Sequence, residues 1–131
     1  MTDLQPPVHV LVVDDSTTMR KIIVRTPRRL GLPLGRIEEA GDGEIALAAL
    51  RARSFGLAIV DIHMPNLDGL ALLDAAARDR VLADLPVVVV SSELGGVRLG
   101  ALELRGIRFV GKPFTRSQLR DAVVGALGGV S

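Results

Sequence analysis

The chain contains no cysteine, tryptophan or tyrosine among its 131 residues. Without cysteine it forms neither a disulfide framework nor a metal site with thiolate ligands. Because aromatic residues make up only 2% of the chain, its core must be built from valine, leucine, isoleucine and alanine. Hydrophobic residues nevertheless reach 48% of the total, which is enough for a chain of this length to bury a core.

The chain also lacks a strong net charge, an export signal and a membrane-length apolar run. Sixteen basic residues balance fifteen acidic ones, which gives no reason to expect nucleic-acid binding. Residues 1–7 have neither the basic start nor the apolar run of a signal peptide, and no apolar stretch reaches the length of a membrane span. We therefore expect a single cytoplasmic domain over residues 1–131, with a core at about 8–127, loose termini and no membrane insertion.

Short apolar runs alternate with longer helical patterns along the whole chain. Four runs predict strands buried on both faces and a fifth predicts a strand nearer an edge; the four are residues 8–13, 56–60, 85–90 and 107–111, and the fifth is 36–40. Strands that alternate with helices indicate an α/β fold, with a doubly wound parallel sheet and helices on both faces.

Between the strands, apolar residues recur at helical spacing. The predicted stripes are Met19, Ile22, Ile23 and Leu30; Ile45, Ala49 and Ala52; and Leu119, Ala122, Val123, Ala126 and Leu127. Pro27 lies inside the first pattern and should kink or end that helix near Thr26. Residues 91–106 also predict a helix, but three glycines should make it short and the least stable of five.

Polar side chains follow the predicted strands where each strand ends. Asp14 and Asp15 follow the first run, Asp61 closes the third, Ser91 follows the fourth and Lys112 follows the fifth. The carboxyl ends of parallel strands meet at one edge, where α/β sheets bind ligands. Three carboxylates crowded there repel one another unless a cation neutralises them, and Mg²⁺ prefers oxygen ligands. The pattern therefore predicts a Mg²⁺ site.

Each of these residues also has a plainer interpretation. One aspartate of the pair could cap a helix that starts near Ser16. Ser91 could carry a hydroxyl satisfied by the backbone, and Lys112 could be a solvated lysine at a strand end. Their common location at one edge of the sheet favours the shared site.

Four stretches resemble the response-regulator receiver domain, the CheY-like phospho-acceptor module of two-component signalling. They are LVVDDS (11–16), AIVDIHMPNLDGLALL (58–73), VVVVSSE (87–93) and FVGKPF (109–114). Their order and spacing match the family together, which is more specific than any one stretch. The resemblance implies a flavodoxin-like (βα)5 fold with a five-stranded parallel sheet in the order 2-1-3-4-5.

The resemblance also implies roles for the polar residues at the strand ends. Asp61 would be the phospho-acceptor, and Mg²⁺ would be held by Asp14, Asp15, Asp61 and the backbone carbonyl of His63. Lys112 would pair with Asp61 or with its phosphate.

Further roles concern the switch and the flanks of the site. Ser91 would hydrogen-bond a phosphoryl oxygen, and Phe109 would be the switch aromatic, unless it is a plain core residue of its strand. His63 and Glu93 would flank the phosphoryl site. Pro113 would follow Lys112 through a cis peptide bond; the alternative is a trans proline that starts the last helix.

The expected function is therefore that of a stand-alone signalling switch rather than an enzyme with its own substrate. It would take a phosphoryl group from a sensor histidine kinase or a histidine phosphotransfer protein. Phosphorylation would then change its affinity for an unknown protein effector at the face of the predicted fourth helix, fifth strand and fifth helix. Two alternatives stay open: a phosphate shuttle or sink without its own effector, and an independent Mg²⁺-dependent phosphohydrolase.

A cluster of basic residues lies on the first predicted helix. Its members are Arg20, Lys21, Arg25, Arg28 and Arg29. We expect them to form a solvated face; alternatively they could dock an acidic partner surface.

Overall fold

The apolar runs form strands, and helices connect them. A computed structural model describes residues 8–29, 34–62, 69–79, 82, 84–91 and 107–128. In chain order, the elements within these ranges are β1 (Val8–Val13), α1 (Thr17–Arg29), β2 (Leu34–Ala40), α2 (Gly43–Ala52), β3 (Leu57–Asp61), α3 (Gly69–Arg78), β4 (Val87–Ser91), β5 (Arg108–Gly111) and α4 (Arg116–Ala126). The helix predicted within 91–106, together with His63 and Glu93, lies outside the described residues.

The five strands form one parallel sheet in the order β2-β1-β3-β4-β5. The predicted fold class is therefore confirmed. Strand order reverses between β1 and β3, which is where open α/β sheets bind ligands, beyond the carboxyl ends of the strands. The register pairs Val13 of β1 with Val60 of β3, so the residues that follow both strands emerge side by side.

The core has two layers, one on each face of the sheet. Every residue of β3 and β4 is buried, as expected for central strands of a parallel sheet. Alternate strand residues point to opposite faces. On one face the strands pack against α2 and α3, and on the other they pack against α1 and α4. The predicted stripe of the last helix is confirmed, because Leu119, Ala122 and Val123 are all buried.

The sequence predicted that the first helix kinks or ends near Thr26, and the predicted end is wrong. Helix α1 continues through Pro27 to Arg29. A proline fixes φ close to the helical value and removes a single backbone donor, so a helix can pass through it when the rest of its length is well supported. Here Ile23 is buried in the core, and the Thr26 hydroxyl donates to the Ile22 carbonyl at 3.0 Å.

The predicted stripe of α2 is right at Ala49, which is buried, but wrong at Ile45 and Ala52. Ile45 is 54% exposed, and Ala52 is exposed as well. The buried residues of this helix are Gly43, Ala46, Ala49 and Leu50. Because its sequence, GEIALAALRA, carries apolar residues all round, its docking on the sheet rather than its periodicity selects the buried face. None of the described helices is long and apolar enough to span a membrane.

Candidate functional site

Three carboxylates lie together at the carboxyl ends of β1 and β3. Asp14 and Asp15 follow β1, and Asp61 is the last residue of β3. Each contributes a carboxylate oxygen, and these oxygens lie within 4.8 Å of one another. Asp14 is fully buried and Asp61 is 6% exposed, whereas Asp15 is exposed to solvent. The cluster therefore combines two buried negative charges with one that water can reach.

Lys112 brings a positive charge into the cluster. Its Nζ lies 3.0 Å from Asp14 Oδ2 and 3.5 Å from Asp61 Oδ2. The Lys112 backbone N–H donates to the Ser91 carbonyl at 2.9 Å, which extends the β4–β5 pairing by one residue. The Lys112–Pro113 peptide bond is cis, as the resemblance implies. The sequence predicted a pairing of Lys112 with Asp61 but not the shorter contact with Asp14.

Asp14 is held at both carboxylate oxygens and at both backbone polar groups. Its N–H donates to the Ala40 carbonyl at 3.1 Å, and its Oδ1 accepts from the Ser16 N–H at 2.9 Å. Its Oδ2 accepts from Lys112, and its carbonyl accepts from Arg20 Nη1 at 2.6 Å. Asp14 is therefore anchored to β2, α1 and the end of β5 together.

The start of α1 separates the two interpretations of the aspartate pair. The Ser16 hydroxyl accepts from the Met19 N–H at 3.1 Å, so Ser16 itself supplies the side-chain cap of the helix. The Asp14 carboxylate binds the Ser16 N–H just before the helix begins. Helix capping therefore accounts for only one oxygen of Asp14 and does not account for Asp15.

Arg20 does not belong to a solvated basic face, contrary to the prediction. Only 16% of its side chain is exposed, and its Nε lies 3.1 Å from Glu39 Oε1. Lys21 Nζ binds the other Glu39 oxygen at 2.8 Å but is 55% exposed. Lys21 foremost, and Arg20 with it, hold the pKa of Glu39 below its ordinary value. The sequence signal for Arg20 was its place in the first turn of the helix after Asp14; the contact with Glu39 depends on the pairing of Val12 with Glu39.

Ser91 lies on β4, the strand beside β3, and Phe109 lies on β5, the next strand of the sheet. Ser91 is fully buried at the end of β4, one residue beyond Val90, which pairs with Asp61. Phe109 of β5 is partly buried and packs against the core layer of α2 and α3. This packing matches the plainer interpretation of Phe109 as a strand residue at the edge of the core, and its role as a switch stays a prediction.

The composition of the cluster suits a hard divalent cation. Three carboxylates face one ammonium group, so acidic groups outnumber basic groups in this cluster. Buried carboxylates are costly unless they are paired or bound to a metal. The donors are all oxygens, and exposed Asp15 leaves a side open for ligands from solvent. Mg²⁺ uses this type of site, with a few carboxylates and several waters.

Comparison with known proteins identifies the family. Residues 10–124 match the family model for the response regulator receiver domain. The chain belongs to this family. Among curated proteins, the receiver domain is 36% identical to the chemotaxis protein CheY of Pseudomonas aeruginosa over 115 residues, which cover 87% of this chain and 91% of that protein. Proteins of this family are signalling switches that interact with histidine kinases or phosphotransfer proteins.

Two solved structures show the same architecture. The receiver domain aligns with the chemotaxis response regulator CheY4 of Vibrio cholerae at a TM-score of 0.79 and 25% identity, over 92% of this chain and 98% of that one. It aligns with the receiver domain of the sensor histidine kinase PA1611 of Pseudomonas aeruginosa at a TM-score of 0.80 and 19% identity, over 94% and 99% of the two chains. That second protein has a magnesium ion coordinated in its active-site cleft.

Proposed function

We propose that this receiver domain accepts a phosphoryl group on Asp61 and thereby changes its affinity for a protein effector. The donor is the phosphohistidine of a sensor histidine kinase or of a histidine phosphotransfer protein. The observation that carries the proposal is the position of Asp61. It ends a central strand, and its carboxylate lies in a cluster with two other aspartates and 3.5 Å from the ammonium group of Lys112.

In the proposed transfer, a carboxylate oxygen of Asp61 forms a bond to phosphorus while the bond from phosphorus to the histidine nitrogen breaks. The imidazole leaves with the electron pair of that bond and takes up a proton. Such transfers depend mainly on in-line positioning and on stabilising charge on the phosphoryl oxygens. Lys112 is already within reach of Asp61 and offers its ammonium group to one of these oxygens. Ser91, at the end of the neighbouring strand, offers a hydroxyl to another.

Asp14, Asp15 and Asp61, together with the backbone carbonyl of His63, are the proposed ligands of Mg²⁺. Bound Mg²⁺ supplies positive charge that offsets the repulsion between the acidic cluster and the incoming phosphoryl group. Asp14 and Asp61 form the buried side of the proposed site, and Asp15 lies on the side that is exposed to solvent. The magnesium-bound receiver domain of the Pseudomonas aeruginosa kinase supports this assignment by similarity of fold.

The proposed output surface is the face of β5, α4 and the predicted helix within 91–106. Ser91 and Phe109 are proposed to connect this face to the site, because Ser91 lies on β4, next to the strand of Asp61, and Phe109 lies on β5, one strand further along the sheet. Glu93 and His63 are proposed to flank the phosphoryl group, and Pro113 to follow the lysine as part of the same loop. The proposal also includes a protein effector rather than nucleic acid. It further includes a role as a switch rather than an enzyme, and a cytoplasmic location.

The test is phosphorylation by a small-molecule donor. We would incubate the protein with acetyl phosphate and Mg²⁺ and measure its intact mass. We expect one phosphoryl group per chain, and we expect none after Mg²⁺ has been chelated. An absence of labelling in Mg²⁺, or equal labelling with and without the metal, would contradict the proposal.

A further inference from the structure

Asp15 depends on its backbone for its position. Its side chain is exposed, and among the described residues no hydrogen-bond donor reaches its carboxylate. The peptide group just before it is held firmly, because the Asp14 carbonyl accepts from Arg20 Nη1 at 2.6 Å. Arg20 therefore fixes the orientation of the peptide group that joins Asp14 to Asp15, and with it the backbone position of Asp15.

Arg20 is itself fixed by two further contacts. Its Nε donates to Glu39 Oε1 at 3.1 Å, and its Nη2 donates to Thr17 Oγ1 at 3.1 Å. The planar guanidinium thus spans the end of β1, the end of β2 and the first turn of α1. A lysine ammonium carries the same charge on a single nitrogen, so it cannot reproduce this fork of donors.

We infer that Arg20 is a positioning residue, which fixes the Asp14 carbonyl so that the Asp14 and Asp15 carboxylates are presented together to the cation. This inference rests on the proposed function, because it concerns the same Mg²⁺ site. The charge of Arg20 acts in the opposite direction, since a positive group near a cation site repels the cation. Positioning and charge therefore predict opposite changes in Mg²⁺ affinity when Arg20 is replaced.

Calorimetric titration of the unphosphorylated protein with Mg²⁺ distinguishes the two effects. Arg20→Lys keeps the positive charge but loses the three guanidinium nitrogens that donate to separate acceptors. Arg20→Met loses both the charge and these donors. Residues that orient metal ligands typically change metal affinity by about tenfold or more when they are replaced, and we expect a loss of that size in Arg20→Lys. We also expect weaker binding in Arg20→Met, although that variant removes a repulsive charge.

Lys21→Met is the matched control. Lys21 binds the same glutamate at 2.8 Å, but its ammonium group donates to Glu39 and not to the Asp14 carbonyl, so its replacement should not weaken Mg²⁺ binding. The Asp15 amide resonance gives a local readout, because its peptide group includes the carbonyl that Arg20 binds. It should shift in both Arg20 variants and stay in place in Lys21→Met.

Arg20→Met binding Mg²⁺ as tightly as the wild type, or more tightly, would overturn the inference, since Arg20 would then act only through its charge. If Arg20→Met does not fold, unchanged affinity in Arg20→Lys overturns it equally. A wild-type protein that binds no Mg²⁺ would instead contradict the proposed function itself, and the inference with it.

Discussion

Lys112 lies closer to Asp14 than to Asp61, at 3.0 Å against 3.5 Å between its Nζ and the nearer carboxylate oxygens. The proposed phospho-acceptor therefore shares its lysine with a second buried carboxylate. In this arrangement one ammonium group balances two side chains that are almost completely removed from solvent. Lys112 therefore stabilises the acidic cluster in the unphosphorylated protein.

Replacing Lys112 should destabilise the protein when no divalent cation is present. Lys112→Met leaves Asp14 and Asp61 without their shared ammonium group, and a buried polar group that loses its partner costs about 1–3 kcal/mol or more when charged. We expect the free energy of unfolding, measured with urea in the presence of a chelator, to fall by about that amount. Mg²⁺ should restore more stability to the variant than it adds to the wild type.

Lys112→Arg is the control for charge. It keeps a cation beside both carboxylates, so its loss of stability in chelator should be smaller than that of Lys112→Met. Equal free energies of unfolding for Lys112→Met and the wild type in chelator would show that this lysine does not stabilise the acidic cluster.

Acid should weaken a second charged cluster, around Glu38 of β2. Glu38 accepts from Arg53 at 2.7 and 2.8 Å and from Arg36 at 2.8 Å. Arg53 foremost, and Arg36 with it, lower the pKa of Glu38 from its ordinary 4.5. A carboxylate with a lowered pKa contributes stability that is fully present above the unfolded-state pKa and is lost as the pH falls through the folded-state pKa.

Glu38→Gln should therefore remove part of the loss of stability that occurs below pH 4.5. The measurement is a series of urea unfolding curves at decreasing pH. Arg53→Gln removes the larger cause of the lowered pKa, so it should reduce the same loss. If both variants lose stability with falling pH as steeply as the wild type, the Glu38 cluster does not contribute to the acid response.

Much of the fold and of the site could be predicted from the sequence because a polar residue marks the end of most of the strands. Apolar runs stop directly at Asp14, Asp61, Ser91 and Lys112, and parallel strands bring their ends to one edge. The second partner of Lys112, Asp14, could not be predicted in the same way. The contact between Lys112 and Asp14 joins residues 98 positions apart and depends on how β5 is placed relative to β1.

Helix α2 shows why side-chain phase was harder to predict than strand ends. Its alanine-rich sequence allows several faces to be buried, and only packing on the sheet exposes Ile45 and buries Ala46. The solvent exposure of Arg20 was predicted wrongly for a related reason. A basic residue in a helical pattern indicates solvent exposure, and the β1–β2 pairing that brings Glu39 beside it is not visible in the local sequence.

The capping of α4 gives a prediction about stability alone. The Thr115 hydroxyl accepts from the Gln118 N–H at 3.1 Å, and the Gln118 side chain accepts from the Thr115 N–H at 2.8 Å. This capping box begins a helix whose buried residues complete one core layer. Thr115→Ala should lower the free energy of unfolding by about 1 kcal/mol.

Ser117→Ala is the matched control, because Ser117 is exposed in the same turn and takes no part in the capping box. Thermal or urea unfolding of the two variants should show the larger loss in Thr115→Ala. Equal losses would mean that the capping box does not stabilise α4.

The most direct test of the central claim is the intact mass of Asp61→Asn after incubation with acetyl phosphate and Mg²⁺. Asparagine keeps the size of the side chain but removes the nucleophilic carboxylate. The account predicts one phosphoryl group on the wild type and none on Asp61→Asn, while Asp61→Asn keeps the fold shown by its unfolding curve. Stoichiometric phosphorylation of Asp61→Asn would contradict the assignment of Asp61 as the phospho-acceptor.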